Sequence, residues 1–382
     1  MKFDKQNNKV IIALMADIMK YPPTLNLVRL LLDNGYRVCL IAQSRGELQP
    51  EIIESPLFVF KKINAPSGFN IADRIKRRIF SGGQIKKIVS ANYASGDIVW
   101  VATDMTARVI GSDLNKYKFV LQILELEEKC QLFKGSKWLT FPIKKYAQKA
   151  YKVVVPEINR AYIQKIWWNL SETPVVLPNK PYTISYGKLD TNTKELIEKL
   201  RQEKRKKIIY LGVIDKDRDF SVMMDVVEDF KDEFCFYIFG SVYDDLKDSF
   251  DALLKKHPNT KYMGFVNPPQ HLALLENADI GLLPYYINSC EPCDYQLNTL
   301  YCAPNKIFEY AGYELPMIGS ELLGLQTPFE KYNIGVCCDM MNKESIVAAI
   351  NKLSVEHDEM KKNCKDFFDS VDLVNIIEKI IN

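Results

Sequence analysis

Lys306 and Glu309 lie in the segment Ala303–Tyr310 (APNKIFEY), where their spacing predicts the ligand-binding end of a helix. A Pro-Asn pair predicts a turn that opens a short helix, which leaves the backbone N–H groups of Asn305 to Ile307 without intrahelical acceptors. Lys306 adds a charge to the positive end of the helix dipole, and Glu309 follows one turn later on the same face. This group suits a diphosphate joined to a ribose, with cations for the phosphates and a carboxylate for the hydroxyls. The alternative is an ordinary amphipathic helix with a capping turn.

The longer pattern P-x-K-x-x-E-Y-x-x-x-x-x-P-x-I runs from Pro304 to Ile318. It resembles the nucleotide-sugar signature of two-domain (GT-B) glycosyltransferases, especially that of retaining glycosyltransferase family 4. In that family the glutamate binds the ribose of the donor, and the helix N-terminus binds its diphosphate. The resemblance therefore implies that Glu309 binds the ribose and that residues 305–307 bind the diphosphate.

The resemblance continues on both sides of this signature. Val175–Asn179 (VVLPN) is similar to the segment that leads from the first domain to the second in this family. Three strand-like runs that end in Gly212, Gly240 and Gly264 resemble the glycine-terminated strands of its second domain. The likeness is close to complete in the second half of the chain and mainly architectural in the first half.

Further candidates for the donor site lie around these strands. Gly212 would let the backbone approach the phosphates, and Arg218 resembles in position the basic residue that follows the first strand of the family's second domain. Tyr262 and Phe265 flank Gly264, and either ring is a candidate to stack on the base. The structural alternatives are a turn glycine, a solvated loop charge and two core aromatics.

Two departures from the family concern the chemical step. Family 4 usually has a glutamate eight positions before the ribose glutamate, and here Tyr301 occupies that position. The arrangement N-x-x-Y-x-x-P-N-K around Tyr301 is similar to a branch of polysaccharide-assembly glycosyltransferases, so this tyrosine remains a donor-site candidate. Many members also have a histidine at a strand end of the first domain, whereas the histidines of this chain are His257, His271 and His357. The resemblance implies a retaining reaction. Residues of the first domain must determine whether the reaction is retaining or inverting.

Glu125, Glu127 and Asp104 are the candidates for acid–base chemistry. They follow the strand-like runs 119–124 and 98–103, and the carboxyl ends of parallel strands form the ligand-binding edge of such a sheet. A carboxylate there would deprotonate the acceptor in an inverting enzyme, or orient donor or acceptor in a retaining one. Asp17, after the first strand, lies near the same edge by topology. The alternative is that these acids complement helix dipoles.

Strand-like and helix-like runs alternate along the chain, which predicts an α/β fold with doubly wound parallel sheets. The resemblance specifies a GT-B fold, in which two Rossmann-like domains face a central cleft and a C-terminal helix crosses back to the first domain. The predicted parts are an acceptor-binding domain at 1–178, a linker at 179–206, a nucleotide-sugar-binding domain at 207–355 and the returning helix at 356–382.

The composition predicts a two-domain globular protein without a membrane span. The chain has 382 residues, of which 47% are hydrophobic and 26% charged. No apolar run reaches the ~18–20 residues that a membrane helix needs, and Val10–Ala16 predicts a first strand rather than a signal peptide. Nine scattered cysteines do not form a disulfide framework in a chain of this length, so a reducing, cytoplasmic location is expected.

Charge is divided unevenly between the two halves. Residues 1–178 carry 27 Lys and Arg against 15 Asp and Glu, a balance of +12, and the remainder carries 24 against 33, a balance of −9. The basic residues cluster at 74–78, 86–87 and 144–145, and Tyr146, Trp167 and Trp168 are aromatics in similar surroundings. This pattern predicts peripheral contact with an anionic membrane surface, where each basic residue contributes about 1 kcal/mol. The alternative is a solvated helix face; nucleic acid is disfavoured because no recognition motif accompanies the charge.

No metal or other cofactor is expected. Cys290-x-x-Cys293 together with Cys302 offers three metal ligands, but no fourth cysteine or histidine is close in sequence. The chain contains neither G-x-G-x-x-G nor G-x-x-x-x-G-K-[ST], which disfavours a dinucleotide dehydrogenase and a P-loop nucleotidase.

Together these features predict a cytoplasmic hexosyltransferase. It would move a sugar from a nucleotide-diphosphate donor to a glycan or lipid-linked acceptor, and the family resemblance implies bacterial-type surface polysaccharide assembly. One alternative is a sugar-nucleotide epimerase of the same fold, which would turn over without an acceptor. Another is a non-catalytic glycosyltransferase-like partner subunit, which would not bind UDP or GDP.

Overall fold

A computed structural model of the chain shows two compact units. The first unit consists of Met1–Tyr182 with Asp372–Asn382, and the second consists of Thr183–Val371. Each unit is built on one parallel sheet flanked by helices, so the predicted α/β fold class is confirmed. The structure describes residues 3–64, 71–131 and 140–382, with the backbone alone for residues 71–79 and 131.

The sheet of the first unit has seven parallel strands in the order β3-β2-β1-β4-β5-β8-β9. The strands of this unit are β1 Lys9–Asp17, β2 Arg37–Gln43, β3 Phe58–Lys62, β4 Ile98–Ala102, β5 Phe119–Gln122, β6 Cys130–Gln131, β7 Thr140–Phe141, β8 Lys152–Val155 and β9 Val175–Val176. Strands β6 and β7 form a separate antiparallel pair. The helices that precede the second unit are α1 Pro22–Asp33, α2 Pro50–Ile53, α3 Ile71–Asn92, α4 Asp104–Ile110, α5 Ile143–Ala147 and α6 Ile158–Trp168, with 3₁₀ segments at Ile18–Lys20 and Gly111–Lys116.

The central strands of this sheet are apolar on both faces because helices cover both faces. Every residue of β4 is buried, and so are Val10 to Leu14 of β1. The near-continuous apolar runs in the sequence therefore correspond to strands that are covered on both sides.

The sheet of the second unit has six parallel strands in the order β12-β11-β10-β13-β14-β15. Its strands are β10 Lys206–Leu211, β11 Phe234–Phe239, β12 Thr260–Tyr262, β13 Ile280–Leu283, β14 Met317–Ser320 and β15 Gly335–Cys338. Its helices are α7 Thr191–Gln202, α8 Ser221–Asp229, α9 Lys247–Lys256, α10 Cys293–Leu300, α11 Asn305–Gly312, α12 Leu323–Tyr332 and α13 Lys343–Ser370, with 3₁₀ segments at Asp244–Leu246 and Gln270–Asn277.

Alternation along β10 divides the core of this unit into two layers. Ile209 and Leu211 belong to the layer that contains the buried residues of α7 and α11. Ile208 and Tyr210 belong to the opposite layer, with the buried residues of α8. The helix that carries Lys306 thus packs on one face of the sheet.

The contact boundaries differ from the predicted domain boundaries at two places. The predicted linker 179–206 contains α7, whose Leu196, Ile197 and Leu200 are buried in the core of the second unit. The predicted returning helix 356–382 is interrupted, because α13 ends at Ser370 and a further helix, α14, spans Leu373–Ile381. Only α14 and the residues beside it belong to the first unit.

Asp372 explains this interruption. Its carboxylate accepts a hydrogen bond from the backbone N–H of Asn375 at 3.0 Å and so starts α14 as an N-cap. Helix α14 then buries Leu373, Ile377 and Ile380.

Among the described residues, none of the helices combines the length and the apolar character that a membrane crossing requires.

Candidate functional site

Three adjacent strands of the second unit end in glycines whose backbones lie very close together. The N–H of Gly212 donates to the carbonyl of Phe239, and the N–H of Gly240 donates to the carbonyl of Gly264, both at 2.9 Å. A Cβ atom at Gly240 would lie 1.6 Å from the carbonyl oxygen of Gly212, so no larger residue fits there. The glycines therefore leave the carboxyl end of the sheet bare of side chains next to β10.

Helix α11 begins beside these strands with its first turn uncapped by any side chain. Its N-cap is Pro304, which has an extended backbone and no side-chain acceptor. The helix is anchored by Ile307, Phe308 and Tyr310, which are all buried. The predicted helix end thus has amide donors directed away from the helix body, where an anion would find them.

The Lys306 side chain extends across the end of β10. A Cβ atom at Gly212 would lie 2.7 Å from Cε and 2.8 Å from Nζ of Lys306. Its Nζ lies 5.4 Å from the centroid of the Tyr210 ring, which is close enough for a cation–π contact. Among the residues that the structure describes, no carboxylate lies within 4.0 Å of this ammonium group.

Burial lowers the pKa of Lys306 to about 8, and the positive charge of Arg218 also lowers it, while Glu309 and Asp215 act in the opposite direction. The ammonium group is thus charged at neutral pH but poorly compensated. An anionic ligand would supply the missing compensation.

Arg218 is the second cation at this edge. The centre of its guanidinium group lies 4.2 Å from the ring centroid of buried Tyr285. Its Nη1 donates to the carbonyl of Asp217 at 2.8 Å and lies 3.9 Å from a carboxylate oxygen of Asp215. Its Nε is buried and has no hydrogen-bond partner among the described residues. Stacking on Tyr285 therefore orients the group, while part of its donor capacity stays unused.

His271 is a site residue that the sequence did not point to. It lies in the 3₁₀ segment Gln270–Asn277, and its Nδ1 is buried without a hydrogen-bond partner in the described part of the chain. Burial lowers its pKa, Glu309 raises it and Lys306 lowers it, so both charged residues of α11 act on the imidazole. The one sequence signal for His271 was its position after the strand that ends in Gly264.

The remaining donor-site candidates have different surroundings. The hydroxyl of Tyr262 donates to the carbonyl of Gly240 at 2.7 Å, and its ring packs edge-on against Phe250 at 5.5 Å. Tyr262 therefore stabilises the backbone at Gly240, where strand β11 ends. Phe265 is 55% exposed and open to a stacking partner. Tyr301 is partly buried and ends α10, where its N–H donates to the carbonyl of Leu297 at 3.0 Å.

The structure also brings together the acidic candidates of the first unit. One oxygen each of Asp104 and Glu127 and the sulfur of Cys130 lie within 4.8 Å of one another. Burial is the main factor that raises the pKa of the Cys130 thiol, followed by Glu127 and Asp104. In this environment the protonated thiol is favoured, and it hydrogen-bonds to Glu127.

One tyrosine, Tyr21, and one threonine, Thr103, also lie at this acidic edge. Burial raises the pKa of the Tyr21 phenol, with further contributions from Asp104 and Glu125. Thr103, between β4 and Asp104, has a φ of 77° and a ψ of 154°, an unfavourable backbone conformation for a β-branched residue. Asp104, Glu125 and Glu127 thus share one edge with a strained residue, as often happens at functional sites.

Asp17 has a local structural role. One of its carboxylate oxygens accepts hydrogen bonds from the N–H groups of Met19 at 3.2 Å and Arg45 at 3.3 Å. It therefore caps the 3₁₀ segment after β1.

The predicted membrane-facing cluster is described only in part. The side chains of Arg74, Lys76, Arg77 and Arg78 lie outside the described residues. Lys144 and Lys145 are exposed, in agreement with a surface role. Trp168, in contrast, is buried, and its indole N–H donates to the carbonyl of Glu128 at 3.1 Å, so it is a core residue.

Known proteins resemble this chain in structure but not in sequence. Neither a protein-family model nor a curated protein sequence matches it. Among solved structures, Alr3699/HepE of Anabaena in complex with UDP and glucose has a TM-score of 0.67 at 13% identity, with 98% of each chain covered. The sucrose-phosphate synthase of Thermosynechococcus elongatus has a TM-score of 0.65 at 13% identity, covering 98% of this chain and 95% of the other.

A third similar structure is WaaG, a glycosyltransferase involved in lipopolysaccharide biosynthesis. Its TM-score is 0.60 at 14% identity, covering 97% of this chain and 98% of WaaG. The sheet orders and these matches together establish that the chain has the GT-B fold, as the residues around Lys306 and Glu309 predicted.

Proposed function

We propose that the protein is a glycosyltransferase that moves a sugar from a nucleotide-diphosphate donor to a glycan or lipid-linked acceptor. One observation carries the proposal. The positive charge of Arg218 lowers the pKa of the partly buried Lys306 ammonium group beside the uncapped end of α11. Two cations and a helix N-terminus at one point are costly without a ligand, and a diphosphate offsets that cost.

The same groups would assist the chemical step. When the bond from the sugar to the donor phosphate breaks, negative charge develops on the nucleoside diphosphate that leaves. Lys306, Arg218 and the first amides of α11 are fixed in place before the reaction, so they stabilise this charge without reorganisation. These residues supply positive charge themselves, and we therefore propose a reaction that needs no metal ion.

Glu309 and Phe265 fit the nucleoside part of the donor. The Glu309 carboxylate, one turn along α11 from Lys306, accepts hydrogen bonds from the ribose hydroxyls. Phe265 has an exposed ring that fits the face of a base. UDP is the first nucleotide to test, because HepE was solved in complexes with UDP and with UDP-glucose.

The first unit would receive the acceptor. Asp104 and Glu127 lie close together at the carboxyl edge of its sheet, and Glu125 lies near Tyr21 at the same edge. In a retaining reaction of the family 4 type, these carboxylates orient the acceptor hydroxyl; in an inverting reaction, one of them takes its proton. The strained backbone at Thr103 supports a functional role for this edge.

A surface helix of the first unit supports the proposed contact with an anionic membrane. Ile158, Tyr162 and Ile166 are spaced by one helical turn on α6 and are 43%, 55% and 78% exposed. The neighbouring helix α5 adds the exposed Lys144 and Lys145. Apolar side chains beside lysines fit a lipid surface of opposite charge, which suits a lipid-linked acceptor in surface polysaccharide assembly.

Vesicle co-sedimentation tests this surface. With vesicles that contain phosphatidylglycerol, we expect the double variant Tyr162→Ser/Ile166→Ser to bind several-fold less than the unmodified protein. Val355→Ser is the matched control, because Val355 is an 85% exposed apolar residue of the second unit. Equal loss in the control, or no loss in the double variant, contradicts the proposal.

A thermal-shift and calorimetry panel of nucleotide diphosphates and nucleotide sugars tests the donor site. We expect stabilisation by at least one of them, with loss of the shift in Lys306→Met and Glu309→Ala and an unchanged shift in Lys199→Met, which replaces an exposed lysine of α7. Absence of any shift, or an unchanged response in Glu309→Ala, would overturn the donor assignment and favour a non-catalytic subunit. Turnover of a nucleotide sugar without an acceptor would favour an epimerase.

A further inference from the structure

Cys290 and Cys293 differ from the other cysteines of the chain in their exposure. Both are exposed free thiols, whereas six of the other cysteines are buried and Cys337 is intermediate. Exposed thiols react with small disulfides and oxidants, while buried ones are shielded. The donor site described above uses neither residue.

Gln296 links the loop that carries Cys290 to the first turn of α10, which carries Cys293. Cys293 is the first residue of α10, and Gln296 lies on the same first turn. The side-chain amide of Gln296 donates to the carbonyls of Ser289 at 3.3 Å and Glu291 at 2.8 Å. These two carbonyls flank Cys290, so the loop that carries Cys290 is tied to the helix turn that Cys293 begins.

The loop is also connected to the cationic edge. A carboxylate oxygen of Glu291, between the two cysteines, lies 3.3 Å from Nζ of Lys216. Lys216 belongs to the loop after Gly212 that carries Asp215 and Arg218. Glu291, next to Cys290, is thus joined by an ion pair to the loop that carries Arg218.

We propose that Cys290 and Cys293 form a redox-active dithiol, which a low-molecular-weight disulfide such as oxidised glutathione converts into an intra-loop disulfide. One thiolate attacks the small disulfide, which releases one small thiol and leaves a mixed disulfide on the protein. The second cysteine then displaces the other small thiol, so that two protein thiols become one disulfide and one small disulfide becomes two thiols. The C-x-x-C spacing, with the loop held by Gln296, favours the second step.

The consequence for ligand binding rests on the proposed function. A disulfide would draw Cys290 towards α10 and displace Glu291 from Lys216, and thereby shift the loop of Arg218. We expect the oxidised protein to bind the nucleotide diphosphate several-fold more weakly, with recovery after dithiothreitol.

Intact-mass analysis and non-reducing peptide mapping after treatment with oxidised glutathione test the dithiol directly. We expect the loss of two hydrogen atoms and a Cys290–Cys293 linkage. In Cys290→Ser and Cys293→Ser, we expect a trapped glutathione adduct instead. Cys337→Ser, which changes the partly exposed cysteine, should behave like the unmodified protein. Two glutathione adducts on the unmodified protein, or no reaction, would overturn the proposal.

The mass result stands independently of nucleotide binding. If the disulfide forms but no nucleotide binds in either redox state, the proposed function fails and the dithiol stands. If the nucleotide binds and no disulfide forms, the dithiol fails alone. If the disulfide forms and affinity does not change, the link to the Arg218 loop is wrong.

Discussion

The phenol oxygen of Tyr310 accepts a hydrogen bond from the backbone N–H of Leu211 at 3.2 Å. This bond joins α11 to the last residue of β10, next to Gly212. The Tyr310 ring packs so closely on β13 that a Cβ atom at Gly281 would lie 2.4 Å from it. One buried tyrosine therefore fixes the distance between the end of a strand and the helix end that carries Lys306.

Tyr310→Phe tests this connection. Removal of the hydroxyl leaves the buried N–H of Leu211 without its acceptor, which should lower the free energy of unfolding by about 1–3 kcal/mol. Because α11 is then less firmly held, we expect nucleotide-diphosphate affinity to fall a few-fold in calorimetry. Tyr313→Phe removes another hydroxyl, whose oxygen is buried without a partner in the described residues, and it should not destabilise the protein.

Gly212→Ala tests the approach of Lys306 to the strand end. The new methyl group would overlap Cε and Nζ of Lys306, and the φ of 157° at this position also disfavours a side chain. We expect displacement of the ammonium group and at least a ten-fold loss of nucleotide affinity. Gly83→Ala in α3, where a Cβ atom meets nothing within 4 Å, is the control and should leave affinity unchanged. Equal affinities would mean that Lys306 does not contact the phosphates.

Nucleotide affinity should depend on pH through Lys306. Its pKa is lowered to about 8, so the ammonium form that binds phosphate is lost as the pH rises above 8. We expect the affinity for UDP, or for whichever nucleotide binds, to fall by up to about ten-fold per pH unit above 8. Lys306→Arg should bind with an affinity that is flat over this range, because a guanidinium group stays protonated. An equal decline in Lys306→Arg would assign the titration to another group.

Lys306 also makes the free energy of unfolding depend on pH, in the direction opposite to that of nucleotide affinity. Because the pKa of Lys306 is lower in the folded state, its burial penalty is present below pH 8 and is relieved as the pH rises from 8 towards 10.5, the ordinary lysine value. Lys306→Met should remove this rise. Urea unfolding of both proteins at pH 7 and pH 9 measures the difference.

Glu127→Gln tests whether the first unit contributes to sugar transfer independently of nucleotide binding. The Glu127 side chain lies beside Asp104 in the first unit, whereas the residues of the cationic edge belong to the second unit. We expect the rate of sugar transfer to fall by about 10²-fold or more, with nucleotide affinity within two-fold of the unmodified protein. Glu128→Gln, which replaces an exposed neighbouring acid, is the matched control. A loss of nucleotide affinity in Glu127→Gln would show that the protein is misfolded or the assignment wrong.

His271→Leu should weaken nucleotide binding without lowering the stability of the protein. An unpartnered buried nitrogen costs stability, so its replacement by an apolar group should leave the free energy of unfolding unchanged or raise it by about 1 kcal/mol. Because the imidazole lies within reach of the charges of Glu309 and Lys306, we expect nucleotide affinity to fall several-fold. A large loss of stability would instead identify His271 as a core residue.

The sequence was sufficient for the elements whose signals are local. The apolar run 10–16 corresponds to β1 at Lys9–Asp17, and the Pro-Asn turn correctly predicts where α11 begins. Apolar periodicity also continues across Val371, and this hid the break between α13 and α14. The Asp372 cap depends on one side-chain hydrogen bond, which the periodicity of apolar residues does not reveal.

The geometry of the site depends on contacts between residues that are far apart in the sequence. Lys306 and Gly212 were predicted to belong to the same site, but their overlap depends on Tyr310, whose ring is placed by packing on Gly281. Tyr262 is a stacking candidate from its position two residues before Gly264, but the hydrogen bond from its hydroxyl to the carbonyl of Gly240 could not be predicted from the sequence. His271 comes from a segment whose role depends on how it packs near α11.

Helix α14 gives the chain an unusual order of assembly. The first unit includes residues 372–382, which the ribosome makes only after the whole second unit. Strand β9 therefore lacks its packing partner α14, with the buried Ile377 and Ile380, while some 190 intervening residues are translated. During that interval the apolar surface that α14 later covers stays exposed, so the first unit completes its core only after the second unit has been made.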